Sequence, residues 1–145
     1  MKLRTLTIVA SLLAPGVTAA QKQTVVPTGM NASATLTPGI RDGNTLYVSG
    51  QLGVSRTDPD SSIQGQTKRS LQNIQKVVEA AGSTMANVVK CTVFLADVKD
   101  FAGMNSAYTA MFTKEPPARS TVVVAALVSP AAKVEIECIA AIPPK

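Results

Sequence analysis

The residues whose types and spacing suggest chemistry lie late in the chain. Pro116-Pro117-Ala118-Arg119-Ser120-Thr121-Val122-Val123-Val124-Ala125-Ala126-Leu127 is followed, after a loop at residues 128–132, by Lys133-Val134-Glu135-Ile136-Glu137-Cys138-Ile139-Ala140. Both runs are rich in β-branched residues and read as strands, the first opening on an arginine. Side chains alternate along a strand, so Glu135 and Glu137 share one face and Val134, Ile136 and Cys138 the other. A guanidinium is always charged, and its forked donors can hold a small carboxylate through two parallel hydrogen bonds. A nearby glutamate can orient or deprotonate a water. Arg119 and Glu135 thus outline a site for a small carboxylic acid. The same charges on adjacent strands also describe a solvated cross-strand ion pair, which is common and contributes little.

Composition narrows the chemistry further. Histidine is absent, so no Ser-His-Asp triad, Cys-His pair or imidazole zinc site can form. The chain has three phenylalanines, two tyrosines and no tryptophan, a poor supply of platforms for stacking bases. Its net charge of +5 is scattered, which gives no nucleic-acid footprint. With 145 residues, 46% of them hydrophobic, there is material for one domain with a real core.

The elements that must position these residues follow in chain order. Residues 1–20 carry Lys2 and Arg4, a short apolar run from Leu6 to Ala14, and Thr18-Ala19-Ala20 before Gln21. They read as a secretory signal peptide, which predicts a secreted or periplasmic protein whose mature domain, residues 21–145, does not span a membrane. Thr24-Val25-Val26 suggests a short edge strand. Residues 33–40 and 45–51 read as a hairpin turning at Arg41-Asp42-Gly43-Asn44. Ser49-Gly50 ends its second arm with a small hydroxyl and a permissive backbone, a pair that allows close approach of a ligand and is also an ordinary turn signal.

Ile63, Thr67, Leu71, Ile74, Val78 and Ala81 recur at three- and four-residue steps. They predict a helix from Asp60 or Ser61 to Ala81, stopped by Gly82. Residues 88–95 read as a central strand. A second helix begins at Asp97 or at Lys99-Asp100, with Phe101, Met104, Tyr108, Met111 and Phe112 as its core stripe and Asn105 and Tyr108 as its polar-capable members. Two prolines at 116 and 117 end it. The order ββαβαββ predicts an α+β fold, a mixed sheet with both helices on one face, and the uncovered face calls for another copy of the chain. Cys91 and Cys138 fall in two central strands; in an oxidising compartment they could pair, and the favoured reading is free buried thiols acting as small hydrophobes.

The run P-A-R-S-x-V, the alanine-leucine step and V-E-I-E resemble the signature of the Rid (reactive intermediate deaminase, RidA/YjgF) family. The likeness extends through Gly43-Asn44-x-Leu46-Tyr47-Val48-Ser49-Gly50-Gln51, Glu79-Ala80-Ala81-Gly82, Val89-Lys90-x-Thr92-Val93-Phe94 and Phe101-x-x-Met104-Asn105-x-x-Tyr108. It implies a chorismate-mutase-like fold that assembles as a homotrimer around an inner β-barrel, with ligand clefts between subunits. It also implies hydrolysis of enamines and imines such as 2-aminoacrylate and 2-iminopropionate to 2-keto acids and ammonia. On this resemblance Arg119 clamps the substrate carboxylate and Glu135 directs the water, and neither a metal nor a cofactor is expected, because an imine carbon is already electrophilic. Ser49, Gly50, Asn105 and Thr121 line the cleft. Two positions depart from the family pattern: Leu36 stands where many members carry a tyrosine, and Thr121 where a cysteine is frequent. The departures point to an altered substrate range and keep open a non-catalytic carboxylate-binding trimer. A ribonuclease or translation-inhibitor role, ascribed to some relatives, is disfavoured by the expected export, the scarcity of aromatics and the absence of histidine.

Overall fold

The structure, a computed structural model, describes residues 21–144. The leader expected at residues 1–20 lies outside the described residues. Six strands form one sheet: β1 (Gln23–Val25), β2 (Gly39–Asp42), β3 (Thr45–Leu52), β4 (Val88–Leu95), β5 (Ala118–Val123) and β6 (Val134–Ala141). Helix α1 (Ile63–Ala80) joins β3 to β4, and α2 (Phe101–Met111) joins β4 to β5. The strand order is β1-β2-β3-β6-β4-β5. Only β4 and β5 run parallel as neighbours. The last strand inserts antiparallel between β3 and β4.

Local chemistry accounts for the element ends. Ser62 caps α1, its side chain accepting from the Gly65 N–H at 3.1 Å, a contact that typically contributes about 1 kcal/mol. At the other end Gly82 adopts φ +80. Its N–H reaches the Glu79 carbonyl at 2.9 Å while the Ser83 N–H reaches that of Val78 at 3.0 Å. This is the Schellman pattern, which needs a residue that tolerates left-handed backbone. The β2–β3 hairpin turns on Gly43, at φ +58.

The first arm of that hairpin is shorter than the sequence predicts. Residues 33–36 fold instead into a local turn, with the Ser33 hydroxyl accepting from the N–H groups of Thr35 and Leu36. A serine competing for nearby backbone donors diverts the chain from a ladder, and Pro38 has no N–H to give one.

The core lies between the sheet and α1, as the period of α1 predicts. Leu46, Leu71, Ile74, Val77, Val78, Val93, Leu95, Val134 and Ile136 are wholly buried. Of the α2 stripe, Met104, Tyr108 and Phe112 are buried and Met111 is partly buried, but Phe101, the first helical residue, is 43% exposed. Ile74→Ala removes a fully buried side chain from the centre of this layer. It is expected to cost about 2–5 kcal/mol, read as a lower denaturant midpoint with an unchanged slope.

One cysteine expectation is corrected. Cys91 on β4 and Cys138 on β6 are directly opposed in the antiparallel register and form a disulfide, with Cα atoms 4.1 Å apart. Each strand position was visible in the sequence, but the register that sets the two sulfurs against each other was not.

Candidate functional site

Arg119 is the second residue of β5, an edge strand, and pairs in register with Cys91 of β4. Its side chain therefore points to the helix side of the sheet, where α2 receives it. One terminal nitrogen donates to Asn105 Oδ1 at 2.7 Å. The other lies 3.8 Å from Met104 Sδ, and Cζ sits 4.7 Å from the centre of the Tyr108 ring. Asn105 and Tyr108 are three residues apart, so one face of α2 presents both. The chain enters β5 through Glu115, whose φ of 45 lies in the left-handed region, followed by Pro116 and Pro117. Thr121, two residues beyond Arg119 on the same side of β5, has a buried hydroxyl with no partner among the described residues.

No carboxylate lies within salt-bridge distance of Arg119 among the described residues; the ion pairs found join Arg69 to Asp58 and Lys133 to Asp100. The ion-pair reading of Arg119 and Glu135 is thereby corrected. Their strands are not neighbours, because β4 lies between β5 and β6. They also face opposite ways: Glu135 pairs with Phe94 and Arg119 with Cys91, positions three apart on β4 and so on opposite faces of the sheet.

Ser49, Gly50 and Glu135 form a second cluster, at the β3–β6 seam. The register steps from Val48↔Cys138 to Gln51↔Ile136, so Ser49 and Gly50 together oppose a single residue, Glu137. Such a bulge frees ladder groups and bends the strand. Ser49 turns its freed groups to the β2 side, where its N–H donates to the Pro38 carbonyl at 3.0 Å and its hydroxyl to the Thr37 carbonyl at 2.6 Å. The Glu135 carboxylate lies against Gly50 so closely that a Cβ there would collide with Oε1. Beside Gly50 opens a cleft of about 340 Å³ whose walls include Leu36, Gln51, Asn73 and Lys76.

The loop leading to Glu135 is fixed by a residue that sequence reading passed over. Gln66 is 2% exposed on α1; it donates to the Ala131 carbonyl at 3.0 Å and accepts from the Lys133 N–H at 2.8 Å. A glutamine at a core position of the helical repeat was the available signal, since a buried amide must find partners. Met104 and Tyr108, seen in the sequence as packing, are the other residues at the site. Among the described residues there is no cluster of three or more groups able to hold a metal ion, and no helix is long and apolar enough to cross a membrane.

A family profile described as Endoribonuclease L-PSP matches residues 27–142. The chain is 41% identical over 118 residues to 2-iminobutanoate/2-iminopropanoate deaminase of Escherichia coli, covering 76% of this chain and 91% of that one. It is 39% identical over 105 residues to the protein mmf2, mitochondrial, of Schizosaccharomyces pombe, covering 70% and 83%. Among solved structures, the YjgF gene product of E. coli superposes with a TM-score of 0.75 at 37% identity, over 82% of this chain and 98% of that one. E. coli TdcF with bound serine gives 0.71 at 34% identity, over 81% and 93%.

The relatives overturn the expectation of a signal peptide and a secreted protein: a kindred chain is named mitochondrial, and secretion finds no support among them. The physical reason is that a basic, hydroxyl-bearing, acid-free start with a short apolar run satisfies more than one kind of targeting segment. The profile match, the identities and the shared fold agree with the Arg119 and Glu135 motifs, and this chain belongs to the Endoribonuclease L-PSP family, the YjgF/Rid family.

Proposed function

We propose that the protein hydrolyses small 2-imino acids and their enamine tautomers to 2-keto acids and ammonia. The observation that carries this reading is the half-buried guanidinium of Arg119, held by Asn105 and Met104 yet without an anion of its own. Half-buried and with no carboxylate beside it among the described residues, the cation can take a substrate carboxylate in fork geometry. The relative named for 2-iminobutanoate and 2-iminopropanoate supports the substrate class.

The two half-sites belong to opposite faces of one sheet, so we propose that they meet across a subunit boundary in a homotrimer. Tyr47 and Val122, 49% and 45% exposed on the sheet face away from the helices, offer apolar surface for that contact. In the assembled cleft, Arg119 with Asn105 and Thr121 holds the carboxylate. Glu135, Ser49 and Gly50 of the neighbouring copy border C2.

The chemistry needs little beyond placement. An enamine first takes a proton at C3 from solvent to become the iminium, the protonated imine. Water then adds to the electrophilic C2 while Glu135 accepts one of its protons, giving a carbinolamine. Glu135 returns that proton to nitrogen, the C–N bond breaks and ammonia leaves with its electron pair, while the hydroxyl gives its own proton to Glu135 and becomes the keto group. Glu135→Gln keeps the shape and the hydrogen-bonding capacity but cannot take the proton. It is expected to lower kcat by about 10²- to 10⁴-fold with little change in KM, measured as keto acid released from imines generated in place by an amino-acid oxidase. Undiminished turnover would remove Glu135 as the base.

A second reading is a non-catalytic binder of small carboxylates. It is favoured by Leu36, which is 53% exposed at the cleft where many members carry a tyrosine. Binding of 2-ketobutyrate by calorimetry without any acceleration of imine hydrolysis would select it.

A further inference from the structure

Hydrogen bonds account for only part of what holds Arg119. Its guanidinium carbon lies 4.7 Å from the centre of the Tyr108 ring, inside the range in which an aromatic face attracts a cation. That ring is fixed in turn: Tyr108 is 4% exposed, and its centre lies 4.8 Å from that of Phe112 at a tilt of 40°. Met104, fully buried one turn earlier, places its sulfur beside the same guanidinium. The Tyr108 hydroxyl, by contrast, is buried with no hydrogen-bond partner among the described residues. Burial pushes its pKa up to about 12 although Arg119 pulls it down, so the phenol is neutral at physiological pH. The hydroxyl therefore contributes no bond to Arg119, while the ring face meets it directly.

We propose that Tyr108 is a positioning residue for the substrate carboxylate, its ring face fixing the Arg119 guanidinium before substrate arrives. The proposal rests on the reading of Arg119 as the carboxylate clamp. An arginine has a long, freely rotating stem, and freedom given up in the empty protein is not lost again on binding. Asn105 restrains one nitrogen of the group and Met104 approaches another. The ring bears on the group as a whole, which leaves donor positions open for the ligand.

The test compares Tyr108→Phe, which keeps the ring, with Tyr108→Leu, which keeps apolar bulk and loses the face. Three readouts are taken on the full chain: KM and kcat for keto acid release, affinity for 2-ketobutyrate, and the order of the Arg119 Nε–Hε group by ¹⁵N relaxation, assigned through its loss in Arg119→Ala. Tyr108→Leu is expected to raise KM and weaken 2-ketobutyrate binding by about tenfold, with kcat changed much less and the Nε–Hε group mobile. Tyr108→Phe is expected to restore all three to within about twofold of the parent, because the cation interacts with the ring and not the hydroxyl. A merely structural role would lower stability and the active fraction in Tyr108→Leu while leaving KM and the order of Arg119 alone, and that result overturns the proposal. So does a Phe variant as impaired as the Leu variant. Should the parent neither turn over imines nor bind 2-ketobutyrate, the clamp reading fails and this proposal with it. An Nε–Hε group that then stays ordered in the parent and in Tyr108→Phe but not in Tyr108→Leu would show that the ring still holds Arg119, separating the two failures.

Discussion

Arg119→Ala is expected to lower kcat/KM for release of keto acid from 2-iminobutanoate by about 10³-fold, equivalent to about 4 kcal/mol of lost transition-state stabilisation. The size follows from what is left behind: a substrate carboxylate desolvated in a cleft with no cation to meet it, in addition to the lost fork of hydrogen bonds. The fold is expected to survive. Arg119 lies on an edge strand and is only half-buried, and its removal leaves Asn105 free to take water in its place. Arg119→Lys recovers little of the loss, because an ammonium cannot reproduce two parallel donors and interacts less well with the Tyr108 ring. Sedimentation of each variant checks that assembly is intact. Turnover by Arg119→Ala equal to the parent's would dismiss the carboxylate clamp.

Gly50→Ala is expected to be nearly as damaging for a steric reason. A Cβ at Gly50 meets the Glu135 carboxylate head-on, and the flexible end of that side chain is what gives way. The carboxylate swings away from Gly50 at a small cost in stability, and the loss falls on its position. With Glu135 as the proposed base, displacing its carboxylate by an ångström is expected to forfeit about 10²-fold in rate. The two effects separate in a double variant. In a Glu135→Ala background the obstruction is gone, so Gly50→Ala should then cost almost no stability and no further activity. A full penalty in that background would place the fault in the backbone of the bulge and not in the carboxylate.

These two expectations draw on different levels of the chain. The strand identity of residues 134–141, and the shared facing of Glu135 and Glu137, were legible from period-two alternation. So were α1, through its three- and four-residue spacing, and its stop at Gly82. The family motifs marked Arg119, Glu135, Ser49, Gly50, Asn105 and Thr121. Sequence alone also suggested an Arg119–Glu135 ion pair and two free thiols. Both fail on the same fact, the insertion of β6 between β3 and β4, which sets Cys138 against Cys91 and moves Glu135 a strand away from Arg119 and onto the other face.

Local pattern reports which way a side chain faces relative to its neighbours in the chain, because that depends only on backbone geometry over a few residues. Thus the amino-acid sequence by itself determined the elements, their buried faces and the residue types offered for chemistry. Strand order, the register that closes the disulfide, the bulge that brings Gly50 under a carboxylate and the ring beneath Arg119 were decided by the tertiary structure alone. Each depends on which distant segments compete successfully for the same hydrogen-bonding edge or packing face, and no window of neighbouring residues contains that competition.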